Sequence, residues 1–168
     1  MTNAAGPSAP ALIFRETRAP DVEDTFRVRA LTRQNPASPE LLASWGITPA
    51  TTVADLASGR MKGWVCERGG ELVGFCNGDA TSGEVIVLAV QDGHEGLGIG
   101  SRLLAHVVAW LRSKGFERPW LAASPDPEIR AHGFYRALGW VPTGRTLDNG
   151  DEILELPPES DTVRSSGP

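Results

Sequence analysis

Residues Glu84 to Gly115, EVIVLAVQDGHEGLGIGSRLLAHVVAWLRSKG, compress a strand, a glycine-rich turn and a helix into one continuous unit, and few folds accommodate all three. Glu84 to Val90 is apolar and largely β-branched after its first residue, the composition of a strand covered on both faces, so it belongs in the middle of a sheet. From Ser101 the period changes. Leu103, Leu104, Val107, Val108 and Leu111 share one helical face, Arg102, His106, Arg112 and Lys114 lie largely elsewhere, and Gly115 supplies the stop. Between strand and helix, Gly96, Gly98 and Gly100 alternate, so the backbone bends tightly and no Cβ blocks a ligand. The helix start then offers unpaired N–H groups and a partial positive charge, a setting that favours an anion and above all a phosphate.

Several nucleotide binders share this order of elements, and spacing separates them. A dinucleotide fingerprint requires G-x-G-x-x-G, whereas this turn reads G-L-G-I-G-S. A P-loop requires G-K-[ST], which Gly100-Ser101-Arg102 does not supply. A nucleotide-dependent enzyme is therefore a distant alternative. The stretch instead resembles the acetyl-CoA-binding core of the GNAT superfamily of N-acetyltransferases, a central strand followed by [QR]-x-x-G-x-[GA] and a helix. Leu88-Ala89-Val90 match the strand end, Gly96 the small residue before the motif, and Gly98-Ile99-Gly100 its glycine end. Glu95 stands where the family has Gln or Arg, and Asp92 where a proline is frequent.

A second signature follows about thirty-five residues on. Ala131-His132-Gly133-Phe134-Tyr135-Arg136-Ala137-Leu138-Gly139-Trp140 resembles the family's A-x-x-F-Y-x-x-x-G-F, with Trp140 in place of Phe. The asparagine often found before this helix is missing, and Ser124 is a candidate to replace its contact with the pantetheine arm. Two signatures in the right order are more specific than either alone.

The resemblance implies transfer of an acetyl group from acetyl-CoA, as co-substrate, to a primary amine. The coenzyme's diphosphate would rest on the amides of Glu95, Gly96, Leu97, Gly98, Ile99, Gly100 and Ser101. Backbone at Leu88, Ala89 and Val90 would hold the pantetheine and polarise the thioester carbonyl, provided the fourth and fifth strands splay apart. Two protons must move: an alkyl ammonium loses one and the thiolate gains one. Tyr135, the chain's only tyrosine, matches the family's general acid. Glu84 lies at the spacing of the catalytic glutamate in histone-acetyltransferase members, and burial at a cleft edge would raise its pKa towards that of a base. His106 lies on the polar face of the central helix, and His94 and His132 lack a visible catalytic partner. The alternative reading is a CoA-binding regulatory module that kept the fold and lost turnover.

With 168 residues the chain accommodates one domain with a sizeable core. The formal net charge of −5, with scattered Lys and Arg, argues against a nucleic-acid surface. It is weakly consistent with a cationic or amine substrate, but ordinary solubilising charge is the better account of it. No apolar run is long enough to span a membrane, and MTNAAGPSAPA lacks the features of a signal peptide, so a cytoplasmic protein is expected. Cys66 and Cys76 have no metal-ligand spacing and read as buried reduced thiols. Whether the chain forms a homodimer is left open.

Residues 1–11 and 157–168 are expected to be disordered tails around a single domain spanning 12–156. Leu12 to Arg15 reads as a first strand, and Asp21 as the cap of a helix running to about Gln34 along Val22, Phe26, Ala30 and Leu31. SPELLASWG and TPATTVADLASG read as two short helices too irregular to be core; the resemblance implies that this region covers the acceptor pocket, which makes Trp45 a candidate substrate contact, the alternative being that it fills the gap between the helices. Lys62 to Glu67 and Glu71 to Asp79 form a hairpin over Arg68-Gly69-Gly70. Pro119 to Ala123 returns parallel to the central strand. Asp126 and Pro127 are expected to start the last helix, and Trp140 to Arg145 with Asp151 to Leu156 close the sheet. The expected fold is α/β and GNAT-like: a mixed, mostly antiparallel sheet of six or seven strands flanked by helices, its fourth and fifth strands parallel and splayed.

Overall fold

The computed structural model describes residues 9–33 and 36–159. The tails expected at the termini lie mostly outside that range. Within it, the Arg112 guanidinium donates 2.7 Å to the carbonyl of Pro157, so the chain just past the last strand is tied to the helix beneath it.

Seven strands form one sheet: β1 (Leu12–Glu16), β2 (Met61–Arg68), β3 (Glu71–Asp79), β4 (Glu84–Val90), β5 (Trp120–Ala123), β6 (Val141–Thr146) and β7 (Glu152–Glu155), in the order β1-β2-β3-β4-β5-β7-β6. All neighbours are antiparallel except β4 and β5, as a crossover through a helix requires. One face carries α1 (Val22–Ala30), with α2 (Pro39–Ser44) and α3 (Pro49–Ser58) beyond it, and the other carries α4 (Ile99–Ser113) and α5 (Arg130–Ala137). No helix among the described residues is long and apolar enough to cross a membrane.

The core follows the sequence periodicity. Leu103, Leu104, Val107, Val108 and Leu111 of α4 are buried against Cys66, Cys76, Val85 and Leu121 of the sheet. The burial of each such side chain is worth roughly 1.5–3 kcal/mol, so this face dominates the packing. Close approach needs small residues below: a Cβ on Gly78 of β3 would lie 2.7 Å from Val107 Cγ1 and 3.3 Å from Trp110. On the opposite face Val28 of α1 packs on Val65, Leu72, Phe75 and Ala89.

Several boundaries differ from expectation. The first helix ends at Ala30, four residues early, where the Leu31 amide bonds back to Val28 O. Leu42 of α2 is buried with Val22, Phe26 and Ala37, so the irregular segment supplies a small core of its own. Gly98 caps α4 in the left-handed conformation, φ +77°, and the helix therefore begins at Ile99 rather than Ser101. Asp126 Oδ1 instead accepts from Glu128 N at 2.9 Å, a local turn that occupies the cap, and α5 begins only at Arg130.

Candidate active site

β4 and β5 meet at a single register pair, Glu84 with Trp120, and then diverge. Beyond that pair the β5 side of β4 has no strand partner, so a wedge opens between the two strands. β4 is also irregular on its β3 side. Asn77 pairs with Val87 but Gly78 with Val85, which leaves Ile86 as an extra, bulged residue. A cavity of about 920 Å³ occupies the wedge. Its walls include Glu84 to Leu88 and Val90 from β4, Leu121 to Ser124 from the β5 end, and the first turn of α4.

At the mouth of the wedge, Arg102 N bonds to Gly98 O at 3.2 Å, and helix geometry leaves the preceding amides of Ile99, Gly100 and Ser101 without intrahelical acceptors. Gly96 and Gly98 both have positive φ, and a Cβ at either would meet no atom within 4 Å, so the loop presents bare backbone to solvent. Gly100 plays a different part: its missing Cβ would lie 3.4 Å from Phe134 Cζ, which seats α5 against the start of α4. Glu95 borders the cavity with its carboxylate 3.1 Å from Arg130 Nη1 and 3.9 Å from Arg33 Nε. The acid that departs from the motif is thus charge-compensated in place.

Tyr135 lies deep in the wall. Its ring meets Phe134 and Trp140 edge-on, with centroids 5.1 Å and 6.1 Å apart, and its hydroxyl has no protein hydrogen-bond partner among the described residues. Burial pushes the phenol pKa well above its usual range, Cys76 adds to the rise, and the charge of Arg29 opposes it. At neutral pH the group is a proton donor. Glu84 lines the same cavity, and its pKa is raised, first by burial and then by Asp79.

Of the residues singled out in the sequence, Glu84, Leu88, Val90, Glu95, Gly96, Gly98, Ile99, Gly100, Ser101, Ser124 and Tyr135 all border this one cavity. Ala89 and Leu97 do not: Ala89 points to the α1 face, and the Leu97 side chain is exposed. Trp45 borders it and is 60% exposed. His94 lies at its rim beside Arg68, whereas His106 stacks on Trp64 of β2, outside the cavity walls. Cys66 and Cys76 are buried in the α4 layer, outside the cavity walls. Sequence reasoning missed Ile86, Asn149, Asp151 and Arg29, which also line it. Arg29 left a signal. It falls seven residues after Val22 and three after Phe26, on the buried stripe of α1, where a charge is out of place.

A mixed sheet opened between two parallel strands, with a helix N-terminus facing the opening, is the architecture of an acyl-CoA-dependent acyltransferase. The comparisons agree. The chain belongs to the acetyltransferase (GNAT) family, whose model matches residues 27–140. It is accordingly an acyltransferase, with acetyl-CoA as co-substrate.

Among solved structures it is similar to the PaiA N-acetyltransferase of Thermoplasma acidophilum in complex with coenzyme A, at 18% identity and TM-score 0.70, over 86% of this chain and 98% of that one. It is similar also to a putative GNAT-family acetyltransferase of Desulfovibrio desulfuricans, at 21% identity and TM-score 0.69, over 88% and 99% of the two chains. A third is the ribosomal-protein-S18-alanine N-acetyltransferase of Escherichia coli, at 18% identity and TM-score 0.64, over 88% and 94%. At these identities the likeness establishes the fold. No curated protein matches the chain.

Proposed function

We propose that the protein transfers the acetyl group of acetyl-CoA directly to a primary amine, with Tyr135 as general acid and Glu84 as general base. The observation that carries the reading is that a free helix N-terminus, a protonated buried phenol and a desolvated carboxylate all open into the one wedge between β4 and β5. The residues present fit acetyl-CoA: the bare loop and first-turn amides offer a diphosphate cradle, and β4 offers unpaired backbone to an extended arm. When bound, the coenzyme supplies an activated acetyl thioester.

The chain's own residues do the rest. Ile99, Gly100 and Ser101 amides bind the diphosphate, and backbone from Leu88 to Val90 orients the pantetheine and donates to the carbonyl oxygen as charge develops there. Ser124, at the end of β5, flanks the same arm. The Glu84 carboxylate accepts a proton from the incoming ammonium, directly or through water, and the Tyr135 hydroxyl donates one to the departing sulfur. No cysteine borders the cavity among the described residues, which supports direct transfer over an acylated thiol. The reading includes a cytoplasmic enzyme acting on a small-molecule or peptide amine.

The test is thiol release from acetyl-CoA across a panel of amines. Amine-dependent release with formation of the amide is expected. Absence of release with every amine, while CoA still raises the melting temperature, would instead establish a binding module that has lost turnover.

A further inference from the structure

The acceptor side of the cavity contains a charge that the acetyl-transfer chemistry does not use. Arg29, on the last turn of α1, borders the cavity, and its Nε is buried without a hydrogen-bond partner. No ion pair to its guanidinium exists among the described residues, although Arg15, Arg27, Arg33, Arg112, Arg130 and Arg136 all have carboxylate partners. Burial lowers its pKa, the direction expected of a guanidinium that has lost water and gained no counter-ion. A half-buried guanidinium whose Nε meets neither water nor an acceptor is destabilising as it stands. Such a group is retained where a ligand completes it.

The surroundings say which ligand. Arg29 is near enough to Tyr135 for its charge to act on the phenol and borders the same cavity, so an anion on Arg29 would sit on the Tyr135 side of the wedge. Glu84 and Asp151 border the same cavity and suit an ammonium. Leu41 and Trp45, 42% and 60% exposed, add apolar surface at its edge. Resting on the acetyl-transfer reading, we propose that the acceptor carries a carboxylate close to its amine, and that Arg29 recognises that carboxylate: the substrate class is the free amino acid. A guanidinium meets a carboxylate through paired N–H donors, and a charge-assisted pair of this kind shielded from water is worth roughly ten- to a hundredfold in binding.

The experiment compares each α-amino acid with its primary amide as acceptor, in the wild-type protein and in Arg29→Gln. The intrinsic reactivity of the amine cancels when the acid-to-amide ratio of kcat/KM is compared between the two proteins. That ratio is expected to fall by roughly ten- to a hundredfold in Arg29→Gln and to recover in part in Arg29→Lys, with acetyl-CoA affinity unchanged in both. An unchanged ratio overturns the proposal, as does a loss of acetyl-CoA affinity, which would assign the guanidinium to the coenzyme. Amino-acid amides or capped peptides that react as well as free acids in the wild-type protein overturn it too.

A second measurement needs neither turnover nor a variant: calorimetric binding of N-acetyl amino acids and their amides to the wild-type protein loaded with CoA. Tighter binding of the acids by tenfold or more supports the carboxylate site even if no amine proves reactive, in which case only the transfer reading fails. Equal affinity, or no binding of either, removes it.

Discussion

Replacing Tyr135 by Phe separates catalysis from packing more cleanly than any other change in this site. The ring is held by edge contacts to Phe134 and Trp140, both of which a phenylalanine preserves, and the hydroxyl is bonded to no protein group among the described residues. Removing it deletes no native hydrogen bond to protein, so stability should change by less than about 1 kcal/mol. The loss should fall on proton transfer. General-acid help is worth about 10²- to 10⁴-fold, and a thiolate is a good leaving group, so the lower end applies: roughly 10²-fold in kcat, or about 2.7 kcal/mol of activation free energy.

Thiol release at saturating amine, with acetyl-CoA affinity measured separately by calorimetry, tests this directly. The affinity should hold, because the substitution keeps the ring and its contact with Phe134 and leaves the first-turn amides of α4 untouched. A donor with a more acidic thiol should narrow the gap between variant and wild type, since it needs less acid assistance. The raised phenol pKa adds that no alkaline limb assignable to Tyr135 should appear below about pH 10. Turnover within twofold of wild type at unchanged affinity refutes the assignment. So does a loss that tracks a fall in melting temperature, which would make the hydroxyl structural.

Three further outcomes follow from the geometry. Glu84 has a raised pKa in the folded protein, so folding favours its protonated form; that advantage is present below the unfolded pKa and lost as pH rises through the folded value. Glu84→Gln should therefore not lower the melting temperature at neutral pH, yet should flatten the rising limb of the pH–rate profile; a limb that persists unchanged assigns the base to water or another group. Glu95→Gln removes a negative charge beside the diphosphate cradle and should tighten acetyl-CoA binding two- to fivefold at low salt, less at high salt, by the roughly 0.5–1 kcal/mol of a partly exposed pair. Weaker binding would mean that its contacts to Arg130 and Arg33 organise the loop. Gly78→Ala drives a methyl to 2.7 Å from Val107 Cγ1 and should cost about 1–3 kcal/mol by denaturant titration, while an unchanged midpoint would show that α4 moves away freely.

The parts of this molecule legible in the sequence are those set by local chemistry. β3 and β4 run over the residues that their composition indicates, because the Gly69-Gly70 turn and β-branched content settle strand ends without reference to distant contacts. The bare glycine loop that leads into α4 was legible for the same reason: alternating glycines before an amphipathic stripe mark a tight turn into a helix. Where two local signals compete, the reading slipped. Asp126 and Pro127 resemble a helix cap, but the aspartate side chain closes its own turn and delays α5 to Arg130. Ile86 was out of reach for another reason, since its bulge depends on the register with β3, whereas Arg29 left only the faint signal of a charge on an apolar stripe.

Ile86 shows how one such non-local detail organises the site. In an unbroken strand, Val85, Val87 and Ala89 would point to the same face. Here Val85 packs into the α4 layer while Val87 and Ala89 pack towards α1, and the change of parity falls at the bulge. The same extra residue brings Leu88 and Val90 to the α4 side, where Leu88 approaches within 3.8 Å of where a Cβ on Gly100 would stand. Because a shift of one residue exchanges the faces of everything beyond it, the bulge couples the two ends of β4. Glu84, before it, lies where β5 is still paired; the backbone after it runs along the open wedge to the free amides of α4. On the proposed reading, proton removal and coenzyme binding thus fall at opposite ends of one strand, and the position of the bulge sets how the wall between them faces the cavity.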